Sequence, residues 1–153
     1  MQSTSRSLGV ATPKVAILSA VETVTSRIPS TIDAAALCKM AERGQIDGAL
    51  LDGPLAFDIA INRDAAAVKH VTSTVAGDAD ILLVPDLEAG NMLAKALTFF
   101  ASADAAGLVL GARVPIVLTS RADNMRARMA SCAVAMLYSH SRRMSSEARS
   151  ISL

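Results

Sequence analysis

The chain has little aromatic character and almost no net charge. It contains no tryptophan, one tyrosine and three phenylalanines among 153 residues, and its formal net charge is +1. A near-neutral chain offers no electrostatic attraction for nucleic acid or for an anionic membrane surface. With aromatics so scarce, the core must be built from alanine, aliphatic residues and methionine, which suits helices layered on a sheet.

Cysteine and long apolar runs are also scarce. Cys38 and Cys132 are the only cysteines, and their spacing matches neither a metal site nor a redox motif. Both fall in predicted helices, so we predict buried, reduced thiols in a cytoplasmic protein. No apolar run approaches the roughly 20 residues that a membrane span requires. The opening segment, MQSTSRSLGVATPK, lacks the apolar core of a secretory signal.

Short apolar runs alternate with helical patterns along the chain. Strands are predicted at 14–20, 48–55, 79–85, 107–112 and 114–120. Helices are predicted at 29–43, 63–70, 91–103 and 121–140. The alternation predicts one α/β domain over residues 1–140, with a mixed, mostly parallel sheet covered by helices on both faces. The tight connection between the last two strands predicts an antiparallel pair, and the polar residues 141–153 predict a disordered tail.

Particular residues predict where these helices begin, end and are buried. Ser30 and Asp33 have capping-box spacing, and Gly44 stands where a helix commonly ends. Asn62 or Asp64 is expected to cap the second helix. The buried faces are predicted from apolar residues at helical spacing: Ile32, Ala36 and Met40 in the first helix, and Met125, Met129, Cys132 and Met136 in the last.

Three polar stretches follow predicted strands, where ligands of α/β sheets collect. They are LDGPLAFD (51–58), VPDLEAGN (84–91) and LTSRAD (118–123). In the last stretch, Ser120 and Asp123 are explained by a helix cap alone. Arg121 is harder to explain, because a cation in a first helical turn opposes the helix dipole unless an anion binds there. Arginine beside serine at a helix start can hold phosphate through a guanidinium fork, a hydroxyl and backbone amides.

The stretch VPDLEAGN also has two interpretations. As a turn, it places Asp86 after a proline, Gly90 at a strained backbone angle and Asn91 as the helix cap. As a ligand site, it places Asn91 and Lys95 four residues apart on one helix face near the N-terminus. Lys95 is equally explained as a solvated surface lysine.

Four segments in order resemble the phosphate acetyltransferase and phosphate butyryltransferase family. They are PKVAILSAVE (13–22), GQIDGALLDGPLAFDIAI (44–61), VAGDADILLVPDLEAGNMLAKAL (75–97) and GLVLGARVPIVLTSRAD (107–123). The resemblance covers the C-terminal half of such enzymes. It implies the reversible reaction of acyl-CoA with phosphate to give acyl phosphate and CoA. It further implies part of a fold similar to isocitrate and isopropylmalate dehydrogenases, a homodimer, CoA as a substrate, and no metal or redox cofactor.

The resemblance also assigns roles to residues. It implies that Ser120 hydrogen-bonds the CoA sulfur or the developing oxyanion, and that Arg121 binds phosphate. The acetyl-specific branch carries an aspartate base where this chain has Ala127, so either Asp123 substitutes for it or the thiol is activated in another way. Asn91 and Lys95 are expected nearest to the ligand. The string TSRAD is more similar to the butyryltransferase branch, and the alternative function is a non-catalytic association module that retains the fold.

Overall fold

The computed structural model describes residues 8–151, with side-chain environments through residue 144. Expectations about the first seven residues and the last two lie outside the described part. The chain folds into two compact units, where one domain over residues 1–140 was expected. The first unit is Ala11–Leu93, and the second is formed by the described residues from Ala94 onward together with residues 8–10.

The first unit is built on a three-stranded parallel sheet. Its strands are β1 (Lys14–Leu18), β2 (Leu50–Leu55) and β3 (Ile81–Leu83), in the spatial order β2-β1-β3. Both neighbours of β1 run parallel to it. As the middle strand, β1 is buried from its second residue to its last, which is why its sequence reads as a continuous apolar run. The prediction of an α/β fold with a mostly parallel sheet is therefore confirmed.

Four helices connect or follow these strands. They are α1 (Pro29–Glu42), α2 (Phe57–Ile61), α3 (Arg63–Val68) and α4 (Leu87–Phe99), which crosses the boundary between the two units. The short helix α2 was not predicted from the sequence. Asn62 caps α3 as expected, because its side chain accepts hydrogen bonds from the N–H groups of Asp64 and Ala65.

The end of α1 is confirmed but its start is not. Gly44, at φ +71°, donates to the carbonyl of Ala41, and Gln45 donates to that of Met40, which together form a Schellman motif. The predicted capping box is wrong. Ile28 occupies the cap position without a side-chain hydrogen bond, and the Ser30 hydroxyl bonds Ser19 instead.

The predicted buried face of α1 is also wrong. Ile32, Ala36 and Met40 are exposed, whereas Thr31 and Ala34 are fully buried. The burial of Thr31 has a physical reason, because its hydroxyl shares its hydrogen between the carbonyls of Thr25 and Ile28, at 2.8 Å each, and accepts from the N–H of Thr25 at 2.9 Å. A buried hydroxyl that is fully hydrogen-bonded carries little desolvation cost.

The core of the first unit is made of small and aliphatic side chains. Leu55, Ile59 and Val75 are its largest fully buried hydrophobic members, and Ala16 and Ala60 have no exposed surface. Fully burying an aliphatic side chain of this size contributes about 1.5–3 kcal/mol. Alanine packed closely against branched aliphatic side chains thus forms this core in place of aromatic residues.

The second unit contains a separate two-stranded sheet and a long helix. Strands β4 (Leu108–Val109) and β5 (Ile116–Val117) pair antiparallel. The antiparallel pair is confirmed, but the single mixed sheet is not, because β4 and β5 form their own sheet in the described chain. Helix α5 runs from Met125 to Ile151. The structure therefore continues the helix where a disordered tail was expected, up to the last described residue.

The buried face of α5 differs from the predicted methionine stripe. Met125, Met129 and Met136 are 66–73% exposed, and Cys132 is exposed as well. Up to residue 144, the buried residues of α5 are Ser131, Ala135 and Tyr138. Ser131 fixes this orientation, because its hydroxyl accepts from the N–H of Gly107 at 3.0 Å and donates to the carbonyl of Ala127 at 2.8 Å.

Candidate functional site

The stretch with Ser120, Arg121 and Asp123 forms a compact turn. The Asp123 carboxylate accepts a hydrogen bond from the N–H of Ser120 at 2.6 Å. The Asp123 N–H donates to the Ser120 carbonyl at 3.1 Å, and the Ser120 hydroxyl accepts from the N–H of Ala122 at 3.4 Å. Three hydrogen bonds within four residues thus hold the backbone from which the Arg121 side chain extends.

This turn precedes the helix and is not its first turn. Helix α5 begins at Met125, and the Asn124 side chain caps it by accepting from the N–H of Ala127 at 2.9 Å. The prediction that Ser120 caps the helix is therefore wrong. The helix dipole does not oppose Arg121 as predicted, because Arg121 lies outside the helix.

The turn presents its functional groups to solvent. Ser120 and Arg121 are exposed and Asp123 is half-buried. In the described part of the chain, the Arg121 guanidinium has no hydrogen-bond or ion-pair partner, whereas the nearby Arg126 pairs with Asp104 at 2.6 Å. An exposed guanidinium without an internal partner keeps all five N–H donors available to an external anion.

The VPDLEAGN stretch begins α4 earlier than predicted. The helix starts at Leu87, and the Asp86 carboxylate accepts from the N–H of Ala89 at 2.7 Å, so Asp86 acts as the cap and Asn91 does not. Gly90 has no positive φ. A Cβ at Gly90 would lie 2.9 Å from Cγ2 of Val84, so glycine here allows α4 to approach the end of β3.

Asn91 and Lys95 lie inside α4, one turn apart on the same face. Both are exposed. The Lys95 ammonium lies 5.9 Å from the centroid of the Phe99 ring, which is within the range of a weak cation–π contact. The shared face is confirmed, but the helix begins four residues before Asn91, so the predicted position near its N-terminus is wrong.

A cavity that was not predicted from the sequence lies at the carboxyl ends of β1 and β3. Its volume is about 370 Å³. Its walls are mostly apolar and include Leu18, Phe57, Val84, Pro85, Ala89 and Leu93. Two serines also line it, Ser19 directly after β1 and Ser30 in the first turn of α1, with their hydroxyl oxygens 2.8 Å apart. The sequence signal for this site was the polar residue that directly follows the apolar run of β1.

The two carboxylates of the remaining polar stretch, LDGPLAFD (51–58), have structural partners. Asp52 accepts from the N–H of Gly53 at 2.8 Å. Lys69 lies 3.1 Å from Asp58, and its hydrogen bond is the main reason that the pKa of Asp58 is lowered. These contacts favour turn and surface roles over catalysis for both residues.

The two cysteines differ in environment. Cys38 is half-buried and its thiol donates to the carbonyl of Gly53 at 3.5 Å. Burial, with the nearby charges of Asp52 and Glu42, raises the pKa of Cys38 to about 11. Cys132 is exposed, so the expectation that it is buried is wrong.

We expect iodoacetamide to alkylate Cys132 at least about tenfold faster than Cys38 at pH 8. A thiol with a pKa of about 11 is thiolate in only about one molecule in a thousand at that pH, and the thiolate is the reacting species. Intact-mass kinetics on the Cys38→Ser and Cys132→Ser variants separate the two rates. Equal rates for the two single-cysteine proteins would contradict the assigned environments.

Two further features concern membranes and metals. No helix among residues 8–151 is long and apolar enough to cross a membrane. Among residues 8–144, whose side-chain environments are described, no three His, Cys, Asp or Glu side chains are grouped so that they could hold a metal ion.

A cavity at the carboxyl ends of parallel strands is typical of α/β proteins that bind small molecules. The sequence profile of one family, described as "Phosphate acetyl/butaryl transferase", matches residues 2–136. The chain belongs to this family, as the resemblance in its motifs predicted.

Several relatives and solved structures support this assignment. The chain is 73% identical over 136 residues to a phosphate acetyltransferase of Rhizobium meliloti, covering 89% of this chain and 43% of the relative. It is 49% identical over 130 residues to a phosphate butyryltransferase of Clostridium acetobutylicum, covering 85% of this chain and 43% of the relative. A branched-chain phosphotransacylase from Enterococcus faecalis V583 superposes with a TM-score of 0.81 at 37% identity, covering 91% of this chain and 50% of the other.

Two consequences follow from these similarities. The chain spans less than half the length of the curated relatives it matches. Both branches that the resemblance named are represented, because the relative at 73% identity is a phosphate acetyltransferase and the one at 49% is a phosphate butyryltransferase.

Proposed function

We propose that this chain contributes one side of the active site of a phosphate acyltransferase, which converts acyl-CoA and phosphate into acyl phosphate and CoA. Family membership over residues 2–136 supports the reaction class. The observation that carries the proposal is the turn from Ser120 to Asp123, whose internal hydrogen bonds leave an exposed hydroxyl beside an exposed guanidinium.

The proposed chemistry is an acyl transfer between sulfur and oxygen. A phosphate oxygen attacks the thioester carbonyl carbon, the carbonyl becomes an oxyanion, and the carbon–sulfur bond then breaks to release CoA as a thiolate. Arg121 binds the attacking phosphate through two parallel N–H donors. Ser120 donates its hydroxyl hydrogen to the sulfur or the oxyanion, a type of contact that strengthens as charge develops.

A proton acceptor is needed when CoA is the attacking group. Ala127 has no group for this role, and we propose Asp123. One of its oxygens accepts the Ser120 N–H at 2.6 Å, which leaves the other oxygen for a thiol. The same hydrogen bond makes Asp123 a support of the turn, so its substitution affects both geometry and proton transfer.

Asn91 and Lys95 are proposed as substrate contacts on α4. Both side chains are exposed and lie one turn apart. The charge of Lys95 suits a phosphate group of CoA, and the amide of Asn91 suits a polar group one turn along the helix. Binding of a phosphate group by Lys95 would break its contact with Phe99, which is a weak interaction.

The remaining proposals concern the location, oligomeric state, cofactor requirement and fold of the protein. We propose a cytoplasmic homodimer that uses CoA as a substrate and needs no further cofactor, with a fold similar to part of the isocitrate and isopropylmalate dehydrogenases. The exposed methionines of α5, Met125, Met129 and Met136, support self-association, because apolar surface of this kind commonly marks an interface. The same surface favours the second candidate function, a non-catalytic association module.

Phosphate binding separates these two candidates. We expect the 153-residue chain to bind inorganic phosphate, with affinity reduced about 10- to 100-fold in Arg121→Ala, since a charge-assisted hydrogen bond contributes about 1.5–3 kcal/mol. The phosphate affinity of Arg121→Lys should fall between those of the wild type and Arg121→Ala, because lysine keeps the charge but lacks the planar fork. Calorimetric titration at low salt measures the affinities.

The matched control for this titration is Arg128→Ala, which removes the same charge from an exposed position in the second turn of α5. It should change phosphate affinity by less than about twofold, the size expected of a screened surface charge. Equal affinities for the wild type and Arg121→Ala would refute the phosphate-binding role and favour the association module.

A further inference from the structure

The cavity in the first unit is a site separate in sequence from the Ser120 turn. All the residues that line it belong to Ala11–Leu93. Strands β1 and β3 end at the cavity, and helices α1 and α4 begin beside it. A volume of about 370 Å³ is at the small end of the range for small-molecule pockets, which is about 300–1,000 Å³.

The lining allows one class of ligand and disfavours others. None of the nine described residues that line the cavity carries a charge. A nucleotide or a free phosphate would enter without an ionic partner, which is costly in an apolar setting. Leu18, Phe57, Val84 and Leu93 instead offer aliphatic and aromatic surface. A short, uncharged aliphatic group is the ligand that such walls accept.

The serine pair adds one hydrogen-bond donor to this apolar cavity. Ser19 is 9% exposed, and its hydroxyl bonds that of Ser30 at 2.8 Å. Two hydroxyls contain two hydrogens, and their mutual bond uses one of them, whichever residue donates. Among the described residues, neither hydroxyl has another side-chain hydrogen bond. One O–H group therefore remains for a ligand acceptor.

We propose that this cavity binds the short acyl chain of a thioester, with the thioester carbonyl accepting the remaining hydrogen bond of the Ser19–Ser30 pair. The inference rests on the proposed acyltransferase function and assigns its acyl-group specificity to residues of the first unit. A carbonyl needs a single donor, as the pair provides. The pantetheine arm of CoA, with two amides and a hydroxyl, would leave several polar groups unsatisfied against these walls.

The test uses uncharged thioesters of N-acetylcysteamine, which lack the nucleotide of CoA. Titrations of the 153-residue chain, followed by amide NMR shifts, compare acetyl, propionyl and butyryl thioesters with N-acetylcysteamine itself. Each added methylene should tighten binding about fourfold, the factor for burying one CH₂ group. Binding that is equal for all four compounds would overturn the proposal without any variant.

Two sets of variants locate the binding. Ala89→Leu fills the cavity from α4 and should weaken the butyryl thioester at least tenfold, whereas Ala67→Leu, the same change at an exposed position of α3, should not. The single variants Ser19→Ala and Ser30→Ala each leave one free hydroxyl, so each should lose little thioester affinity. The double variant should weaken all three thioesters about fivefold, as expected for one neutral hydrogen bond. Equal effects of Ala89→Leu and Ala67→Leu would overturn the assignment.

Phosphate titration of the same samples distinguishes this inference from the proposed function. If thioesters fail to bind while phosphate affinity still depends on Arg121, the cavity assignment alone is wrong. If thioesters bind with the expected chain-length dependence while phosphate affinity is independent of Arg121, the phosphate-binding role is wrong and the cavity assignment stands.

Discussion

The 153-residue chain on its own is expected to transfer acyl groups to phosphate at least about a thousandfold more slowly than a typical enzyme, whose turnover is roughly 10 per second. Holding two reactants in the correct geometry supplies about 7–11 kcal/mol of barrier lowering. The chain spans 43% of a phosphate acetyltransferase, so any site residue in the remaining 57% of that relative has no counterpart in these 153 residues. Losing about 4 kcal/mol of this barrier lowering would reduce the rate about a thousandfold.

The measurement is the release of CoA from acetyl-, propionyl- and butyryl-CoA, with phosphate or arsenate as the acceptor. The full-length relative of Rhizobium meliloti serves as the positive control, and omission of the acceptor gives the background. Turnover of roughly 1–1,000 per second that disappears in Ser120→Ala would contradict the expectation. It would mean that self-association of this chain completes the site.

Replacing Gly77 by alanine is expected to lower the free energy of unfolding by about 2–5 kcal/mol. Gly77 has φ +73°, and a Cβ there would lie 2.6 Å from the backbone N and Cα of Arg63. The positive φ costs an alanine about 1–2 kcal/mol, and the clash adds about 1–3 kcal/mol because backbone must move. The Gly77 N–H also donates to the carbonyl of Ile59 at 2.8 Å, which limits how far this segment can shift.

Gly44 provides a matched control for this substitution. It has nearly the same backbone angle, φ +71°, but nothing lies within 4 Å of a Cβ built there. Gly44→Ala should therefore cost only the backbone strain, about 1–2 kcal/mol, without the added cost of a clash. Urea unfolding followed by circular dichroism gives both values. The same loss for the two variants would show that the contact between Gly77 and Arg63 does not constrain the fold.

Local features of the fold follow from the sequence because neighbouring residues are enough to cause them. The continuous apolar run of β1 predicts a strand buried on both sides, and the structure places it in the middle of a parallel sheet. Gly44 and Asn62 act where helix-terminal chemistry predicts. The tight connection between β4 and β5 likewise predicts their antiparallel pairing. The ordered motifs also identify the family, because four strings with their spacing are far more specific than any one of them.

Features that depend on distant partners were decided by the tertiary structure. Ser30 was expected to cap a helix, but its hydroxyl meets Ser19, eleven residues earlier in the chain. Apolar periodicity placed the buried face of α5 on its methionines, whereas the bond of Ser131 to Gly107 turns a different face inward. Gly90 serves a close approach to Val84 instead of a strained angle. The hydroxyls of Ser30 and Ser131 bond groups that the local pattern does not contain. For the same reason, the cavity between Ser19, Ser30 and the start of α4 exists only once β1, β3 and both helices are assembled.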